Sequence, residues 1–483
     1  MNQRGCLLGS ILLSSLLNHG FSFADLFIGQ EDMPFILGTY AEYTENSGIF
    51  SWTQFDSTET CWDLTVYPGS LTATVRLLDP GQGNPPAPDT FPTAQLVELD
   101  TTGGQEQWTY LSKDSFYLYG EGIDFETGGF RFIGNYIPNS QIYFFPMFYG
   151  NGWITAWTWS YLIDSLIPYS ANEIHQKQIV AKGWVKTEIT GGQYWPCLVI
   201  RDNYTFSDNF GTNDVRWLYE WVVAGRFAGG NGIAAAISTN GASKNFVIVE
   251  RMFRLKTLDI PGWDLTCPNF DSITVWTDTS FDGPYPVSSI ITDSGGIGAD
   301  SLIYRINSGS FSGVGHDSVV GNKYFFTIPQ VFTSCTLSYY IMSKDSFSVA
   351  NNIDIWTTSP HCAPENNLYS FAVTVTGIEE VSPRSRIEKT FLSAHPNPFF
   401  SSILIRTLLS RDGGDPIIKI LDLAGRTVRV FDLNDLPAGI VEVNWMGKDD
   451  SGKPLPSGIY FAILKDESEK TFVKTIKLIK VRS

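Results

Sequence analysis

Residues 439–464 read GIVEVNWMGKDDSGKPLPSGIYFAIL and contain two strand patterns on either side of a turn. In the first pattern, apolar residues ending at Trp445 alternate with Glu and Asn, which predicts a strand with one apolar face. In the second pattern, residues 459–464 are almost all apolar, as in a strand that is covered on both faces. Gly452 lies in the turn, where a residue without Cβ adopts a positive φ at little cost. With the neighbouring glycine turns, residues 393–483 are predicted to form about six short strands and hence an Ig-like β-sandwich.

The same module contains an ordered set of short motifs. They are Asn397 and Pro398 before Phe399, Gly425 at the end of an Asp-Leu-Ala-Gly turn, Trp445, Gly452, Gly458 and Tyr460 in Ser-Gly-Ile-Tyr, and Lys474 in a lysine-spaced last strand. As a set, these motifs resemble the type A C-terminal sorting domain of type IX secretion substrates. That family is a close relative of the flagellar-hook-capping Ig-like domain. One departure is Met446, because an Asp commonly follows the Trp in the family.

The resemblance implies a route out of the cell. In the family, this domain steers a folded cargo across the outer membrane and is then usually removed or exchanged for a surface anchor. It therefore implies the type IX secretion machinery as a partner, with a secreted or outer-membrane surface location that is reached via the periplasm. The alternative for the same residues is an ordinary Ig-like module that sorts nothing.

Residues 1–24 have the features of a cleavable signal peptide. Arg4 supplies the positive charge, residues 7–17 form a short apolar run, and small residues precede a cleavage site after Ala24. Signal peptidase is therefore an expected partner, and the mature chain would begin near Asp25. The apolar run is too short to span a bilayer, and no later stretch offers about 18 continuous apolar residues. We therefore expect no transmembrane segment after signal cleavage.

The composition favours strands and turns over helices. The chain of 483 residues contains 14% aromatic and only 17% charged residues, with 44 glycines and 25 prolines. This length predicts several domains with full-sized cores. The formal net charge of −17 argues against nucleic acid as a partner, since nucleic-acid binding needs clustered Lys and Arg.

The predicted fold class is all-β and multidomain, with a β-rich body followed by two Ig-like β-sandwiches. The body of unknown function is assigned to residues 25–262, where segments such as Leu71–Leu77 alternate between apolar and polar positions. Residues 268–376 resemble an Ig-like or fibronectin type III module. Residues 377–392 are predicted to be an exposed polar linker to the C-terminal sorting domain, residues 393–483.

Three tryptophans of the body lie on one side of a predicted strand. Trp153, Trp157 and Trp159 share this side with Thr155, because successive side chains point to opposite faces. Exposed aromatic rings in a row would form a platform on which sugar rings stack, and a polysaccharide or another cell-surface component would then be a partner. The favoured explanation is that these rings fill the core of a large β-sandwich.

The cysteines predict at least one free or intermolecular thiol. The chain has six cysteines, and removal of Cys6 with the signal peptide leaves an odd number. Cys335 and Cys362 fall in the same predicted module and could pair in an oxidising periplasm. The connectivity of the other cysteines stays open.

No pattern of catalytic, cofactor-binding or metal-binding residues is recognisable in the sequence. There is no HExxH, no GxSxG, no P-loop and no dinucleotide fingerprint. His175 follows Glu173 in a polar stretch and is interpreted as a surface histidine. Asp124 and Glu126 would matter as a glycosidase pair only if their separation in space suited it. No cofactor is expected.

Together these features predict a secreted protein that is displayed on the cell surface and exported by the type IX system. Its body would have a non-catalytic binding or structural role. Two alternatives remain open. One is a carbohydrate-binding protein that uses surface tryptophans, and the other is an extracellular hydrolase with an unrecognised site.

Overall fold

The computed structural model describes most of the chain between residues 26 and 481. The described residues are 26–82, 87, 89–101, 105–127, 129–163, 167–375, 392–409, 416–423, 425–434, 436, 439–466 and 471–481. The predicted signal peptide lies outside the described residues, as does the predicted linker apart from residue 392. The chain divides into two compact units, Met1–Thr376 and Gly377–Ser483.

The main element of the first unit is a closed sheet of twelve antiparallel strands. Hairpin-connected strands follow one another around the sheet, and the sheet closes where β2 pairs with β16. The strands β3 and β4 extend it at β16 and β12, and β1 pairs with β10 separately. The strands of this region are β1 Phe27–Ile28, β2 Tyr40–Glu45, β3 Phe50–Ser51, β4 Cys61–Asp63, β5 Leu71–Leu78, β6 Leu96–Asp100, β7 Gln107–Lys113, β8 Tyr117–Thr127, β9 Phe130–Phe144, β10 Met147–Phe148, β11 Gly152–Ile163, β12 Ile167–Lys186, β13 Trp195–Asp208, β14 Asn213–Val222, β15 Ala234–Ser238 and β16 Ile248–Asp259.

The closed sheet has an inner face that carries polar groups and an outer face that is partly covered. Successive side chains of a strand point to opposite faces, so each strand contributes to both. Tyr143 on β9 bonds Glu220 on β14, a strand that is not its neighbour, which places both side chains inside. On the outer face, Trp221 is buried in the main hydrophobic core of the unit. The interior of the sheet therefore contains polar groups beside buried apolar side chains such as Ile200, and the outer face also contributes to the hydrophobic core.

A two-sheet module completes the first unit. One sheet has the order β17-β18-β22-β21, and the other has the order β20-β19-β23-β24 with β25 also on β23. Tyr340 and Trp356 of this module belong to the same hydrophobic core as Trp184 of the closed sheet. The elements are β17 Asn269–Asp271, β18 Tyr285–Thr292, β19 Ile297–Ile306, β20 Ser312–Val314, β21 Ser318–Val320, β22 Lys323–Ile328, β23 Cys335–Asp345, α1 Ser346–Ala350, β24 Thr357–Ser359 and β25 Tyr369–Val373.

The possible Cys335–Cys362 pair does not form. Cys362 is bonded to Cys61 on β4, whereas Cys335 is a free, buried thiol. The sequence suggested that pair because both residues fall in one predicted module. The module and the closed sheet share a core, and this brings Cys61 within reach of Cys362. Cys197 and Cys267 are also free and buried.

The second unit is a two-sheet sandwich with its own core. One sheet has the order β26-β27-β30 and the other β29-β28-β31-β32. Trp445 and Tyr460 are buried between them. Its strands are β26 Leu392–His395, β27 Ile403–Leu409, β28 Pro416–Asp422, β29 Thr427–Asp432, β30 Gly439–Trp445, β31 Gly458–Asp466 and β32 Thr471–Lys480. The all-β fold class is confirmed.

Candidate functional site

The first of the predicted sorting residues, Asn397, attaches the start of the C-terminal unit to its last strand. The amide nitrogen Nδ2 of Asn397 donates to the carbonyl oxygen of Lys477 at 2.7 Å, and its Oδ1 accepts from the backbone N–H of Ile479 at 2.8 Å. After Pro398, the N–H of Phe399 donates to the carbonyl of Ile479 at 2.9 Å. Both hydrogen-bonding ends of the side chain are therefore used, which explains why an asparagine suits this position.

Trp445 is the centre of the packing in this unit. Its side chain is 1% exposed, and its Nε1 donates to the carbonyl of Lys448 at 2.9 Å. Its ring lies 5.4 Å from that of Phe399 and 5.3 Å from that of Tyr460. The hydroxyl of Tyr460 donates to the carbonyl of Pro456 at 2.7 Å. Two motif residues, Trp445 and Tyr460, thus pack together, and each has a partner for its polar atom.

The remaining motif residues lie at turns or on the surface. Gly425 and Gly452 adopt φ angles of 75° and 83°. A residue with a Cβ would be strained at these angles. Gly458 begins β31, and Lys474 is exposed on β32. The glycines and aromatic residues therefore maintain the sandwich. Of the eight motif residues, Lys474 has the charged, exposed side chain that a partner could contact directly.

The three tryptophans of the body lie on the inner face of the closed sheet. Trp153 and Trp157 are each 8% exposed and Trp159 is half-buried. Trp153 donates from Nε1 to the carbonyl of Gln141 at 3.0 Å, and Trp159 donates from Nε1 to Glu173 at 2.9 Å. These rings are therefore held inside the sheet. The proposed surface platform stays a prediction, but it loses the exposure on which it depended.

His175 was expected at the surface, and this expectation was wrong. Its side chain is 18% exposed and lies on the inner face, where Nδ1 is 2.5 Å from Oδ2 of Asp202. Its ring stacks on Trp157 at 5.0 Å with an angle of 9° between the planes. Because β12 alternates, Glu173, His175 and Lys177 all project inward and are separated by exposed residues. A charged residue at every second position was the signal that could have indicated a polar inner face.

The electrostatics of this cluster favour a charged histidine. Burial by itself lowers the pKa of His175, but the carboxylate of Asp202 and a bond to Glu173 outweigh it. The net result is a pKa raised from its ordinary 6.5. Among the described residues, Oδ1 of Asp202 and Nε1 of Trp157 have no hydrogen-bond partner. The cluster thus combines an ion pair with one unused acceptor and one unused donor.

A second polar cluster on the inner face holds the loop between β14 and β15. Glu98 accepts from the N–H of Gly230 at 2.7 Å and from Nδ2 of Asn231 at 3.0 Å. Glu220 accepts from the hydroxyl of Tyr143 and from the N–H of Gly232 at 3.0 Å. Burial raises the pKa of Glu98 to about 7 and also raises that of Glu220. The contacts of these carboxylates indicate that they position the loop.

The imagined pair of Asp124 and Glu126 does not form a catalytic arrangement. Asp124 is buried and forms an ion pair with Arg131 at 2.7 Å, whereas Glu126 is exposed. No group of acidic, histidine or cysteine side chains in the described part of the chain is arranged to hold a metal ion. Among the described helices, none is long and apolar enough to cross a membrane.

A match to a known protein family lies in the C-terminal unit. Residues 404–469 match the family described as the FlgD Ig-like domain. No curated protein matches the chain. The match lies within the second unit and includes Gly425, Trp445, Gly452, Gly458 and Tyr460.

Two solved structures from Porphyromonas gingivalis show low similarity. Dimeric latent PorU aligns at 14% identity and a TM-score of 0.21, over 68% of this chain and 32% of PorU. PorZ, described as an essential surface component of the type IX secretion system, aligns at 11% identity and a TM-score of 0.16, over 88% of this chain and 59% of PorZ. The chain thus spans about a third of the length of PorU and about three fifths of that of PorZ. Neither alignment establishes a shared overall fold.

Proposed function

We propose that this chain is a protein exported by the type IX secretion system, in which residues 393–483 act as the sorting domain. The observation that carries the proposal is the family match over residues 404–469, which includes most of the ordered motif residues. The upstream body would have a binding or structural role outside the cell. No catalytic residue is assigned to it.

The organisation of the second unit supports a separable signal. It has a hydrophobic core formed by its own two sheets, including Trp445 and Leu478. Residues 397–399, near its first strand, form hydrogen bonds with its last strand. The two ends of the unit are therefore bonded to each other. A unit that folds on its own contacts can be recognised, and later removed, without unfolding the cargo.

The test is localisation in a bacterium that has a type IX secretion system. The full chain should appear outside the cell, whereas a chain lacking residues 394–483 should stay in the periplasm. Fusion of a signal peptide, a fluorescent protein and residues 377–483 should be exported. A matched fusion that carries Trp445→Ala should not be exported, because Trp445 lies in the hydrophobic core of the unit. The proposal fails if the truncated chain is still found outside, or if both fusions remain in the periplasm.

A further inference from the structure

An open groove of about 330 Å³ lies on the outer face of the closed sheet. Its floor is formed by two neighbouring rows of residues. Each row runs across the strands from β11 towards β14, and its members are paired on neighbouring strands and point to the same face. In the first row, Ile154, Gln176, Asn203 and Trp217 are successive partners. In the second row, Gly152 pairs with Gln178, and Gln178 pairs with Arg201.

The spacing of these rows suits a small ring-shaped ligand. Neighbouring strands lie about 4.8 Å apart, and same-face residues of one strand lie about 6.6 Å apart. A pyranose ring would therefore lie over two neighbouring strands and over two same-face residues along each strand. A volume of about 330 Å³ is in the range of small-molecule sites and would hold one or two such rings.

The side chains of the groove combine one aromatic ring with amides and a guanidinium. The Arg201 guanidinium carbon lies 5.7 Å from the centre of the Trp217 ring, and Nη2 of Arg201 donates to Oε1 of Gln178 at 2.8 Å. Gln176 is exposed beside Asn203, whose Oδ1 is buried and has no partner among the described residues. Amides offer both donors and acceptors, which matches hydroxyl groups.

The charged side chains of the groove disfavour a cationic ligand. None of the residues that line it is a carboxylate, although the chain carries a net charge of −17. A cationic ligand would find no counter-ion there, whereas a neutral or carboxylated ligand meets no repulsion. Trp217 lines this outer groove, whereas Trp157 and Trp159 of the predicted platform lie inside the sheet.

We propose that this groove binds a saccharide, with Trp217 as the apolar contact and Gln176, Asn203 and Arg201 as hydrogen-bonding groups. The proposal goes beyond export and does not depend on it. A saccharide ligand would be consistent with a binding role for the body outside the cell. Its proposed aromatic contact, Trp217, is not part of the predicted platform of Trp153, Trp157 and Trp159, although Trp153 also borders the groove.

The experiment measures binding of the full mature chain to hexasaccharides at up to millimolar concentration. The panel contains cellohexaose, xylohexaose, mannohexaose and hexagalacturonate, so neutral and acidic sugars are separated. We expect at least one to bind. Trp217→Ala should weaken that binding by about tenfold or more, and Gln176→Ala by about threefold to tenfold.

Matched substitutions outside the groove serve as controls. Phe210→Ala removes another exposed aromatic ring, and Gln82→Ala removes another exposed glutamine. Both should bind like the wild type. Because Gln176 is exposed, its variant should fold even if Trp217→Ala does not. The proposal is overturned if no member of the panel binds, or if Gln176→Ala binds as tightly as the wild type and Gln82→Ala do. The binding measurement does not depend on where the protein is located in the cell. Failure of the saccharide proposal would therefore leave the sorting proposal unaffected.

Discussion

Cys61 is bonded to Cys362, although 301 residues separate them in the sequence. Cys61 lies on β4, which runs parallel to β12 at the edge of the closed sheet. Cys362 follows β24 in the two-sheet module. The bond therefore connects the two parts of the first unit and supports the core that they share.

Removal of this bond should destabilise the first unit. We expect Cys362→Ser to lower its free energy of unfolding by about 2–5 kcal/mol, since a long chain loop is released in the unfolded state. Urea denaturation of the oxidised protein measures the change. Cys335→Ser, at a buried free thiol, is the matched control and should retain the cross-link. A peptide map under non-reducing conditions that joined Cys335 to Cys362 would contradict the structure.

Trp445→Ala should unfold or strongly weaken the C-terminal unit. The substitution removes ring contacts with Phe399 and Tyr460 from a fully packed site, and the expected loss is about 3–5 kcal/mol. Calorimetry of the full chain should show the transition of this unit moving to lower temperature while the other stays in place. Met446→Ala, at the exposed neighbouring position, should have little effect. Equal shifts for the two variants would show that Trp445 is not central to the core.

The His175–Asp202 pair should give a pH-dependent contribution to stability. The folded pKa of His175 is raised above its ordinary 6.5, so the contribution is complete below 6.5 and is lost as pH rises through the raised value. Asp202→Asn should lower this pKa, because burial then acts without the neighbouring carboxylate. Titration of the imidazole signal by NMR, assigned with His175→Gln, measures both values.

A matched substitution on the same strand tests whether this effect is specific. Asp208→Asn lies on β13 as Asp202 does, but its carboxylate bonds the turn at Phe210 and Thr212. This variant should leave the pKa of His175 at the wild-type value. If Asp202→Asn also left it there, Asp202 would not be the source of the shift.

Glu98 should make the first unit less stable as the pH rises from about 4.5 to about 7. Burial raises its folded pKa from 4.5 to about 7, so in this range the unfolded chain releases the proton while the folded chain retains it. Glu98→Gln should therefore reduce the slope of stability against pH between about 4.5 and 7. The slope should not vanish, because burial also raises the pKa of Asp32 and of Glu365 to about 7. Urea denaturation across this range measures the slope, and equal slopes in variant and wild type would rule out this role of Glu98.

Local patterns predicted the strands and the character of the C-terminal unit. The alternation that ends at Trp445 corresponds to β30, with Trp445 buried and Asn444 exposed. The apolar run 459–464 lies in β31, where Tyr460, Ala462 and Leu464 are buried and the residues between them are half-buried. Such features depend on neighbours two positions away, and for this reason they can be read from the chain itself.

The sequence alone thus determined that the chain is all-β and that Trp153, Trp157 and Trp159 share one side of a strand. Only the tertiary structure decided that this side is the inner one. Alternation defines two faces of a strand, but closure through β2 and β16 decides which face becomes the interior. The same closure placed His175 beside Asp202, and the shared core placed Cys61 beside Cys362. Contacts of this kind join residues that are far apart in the chain, so no local pattern encodes them.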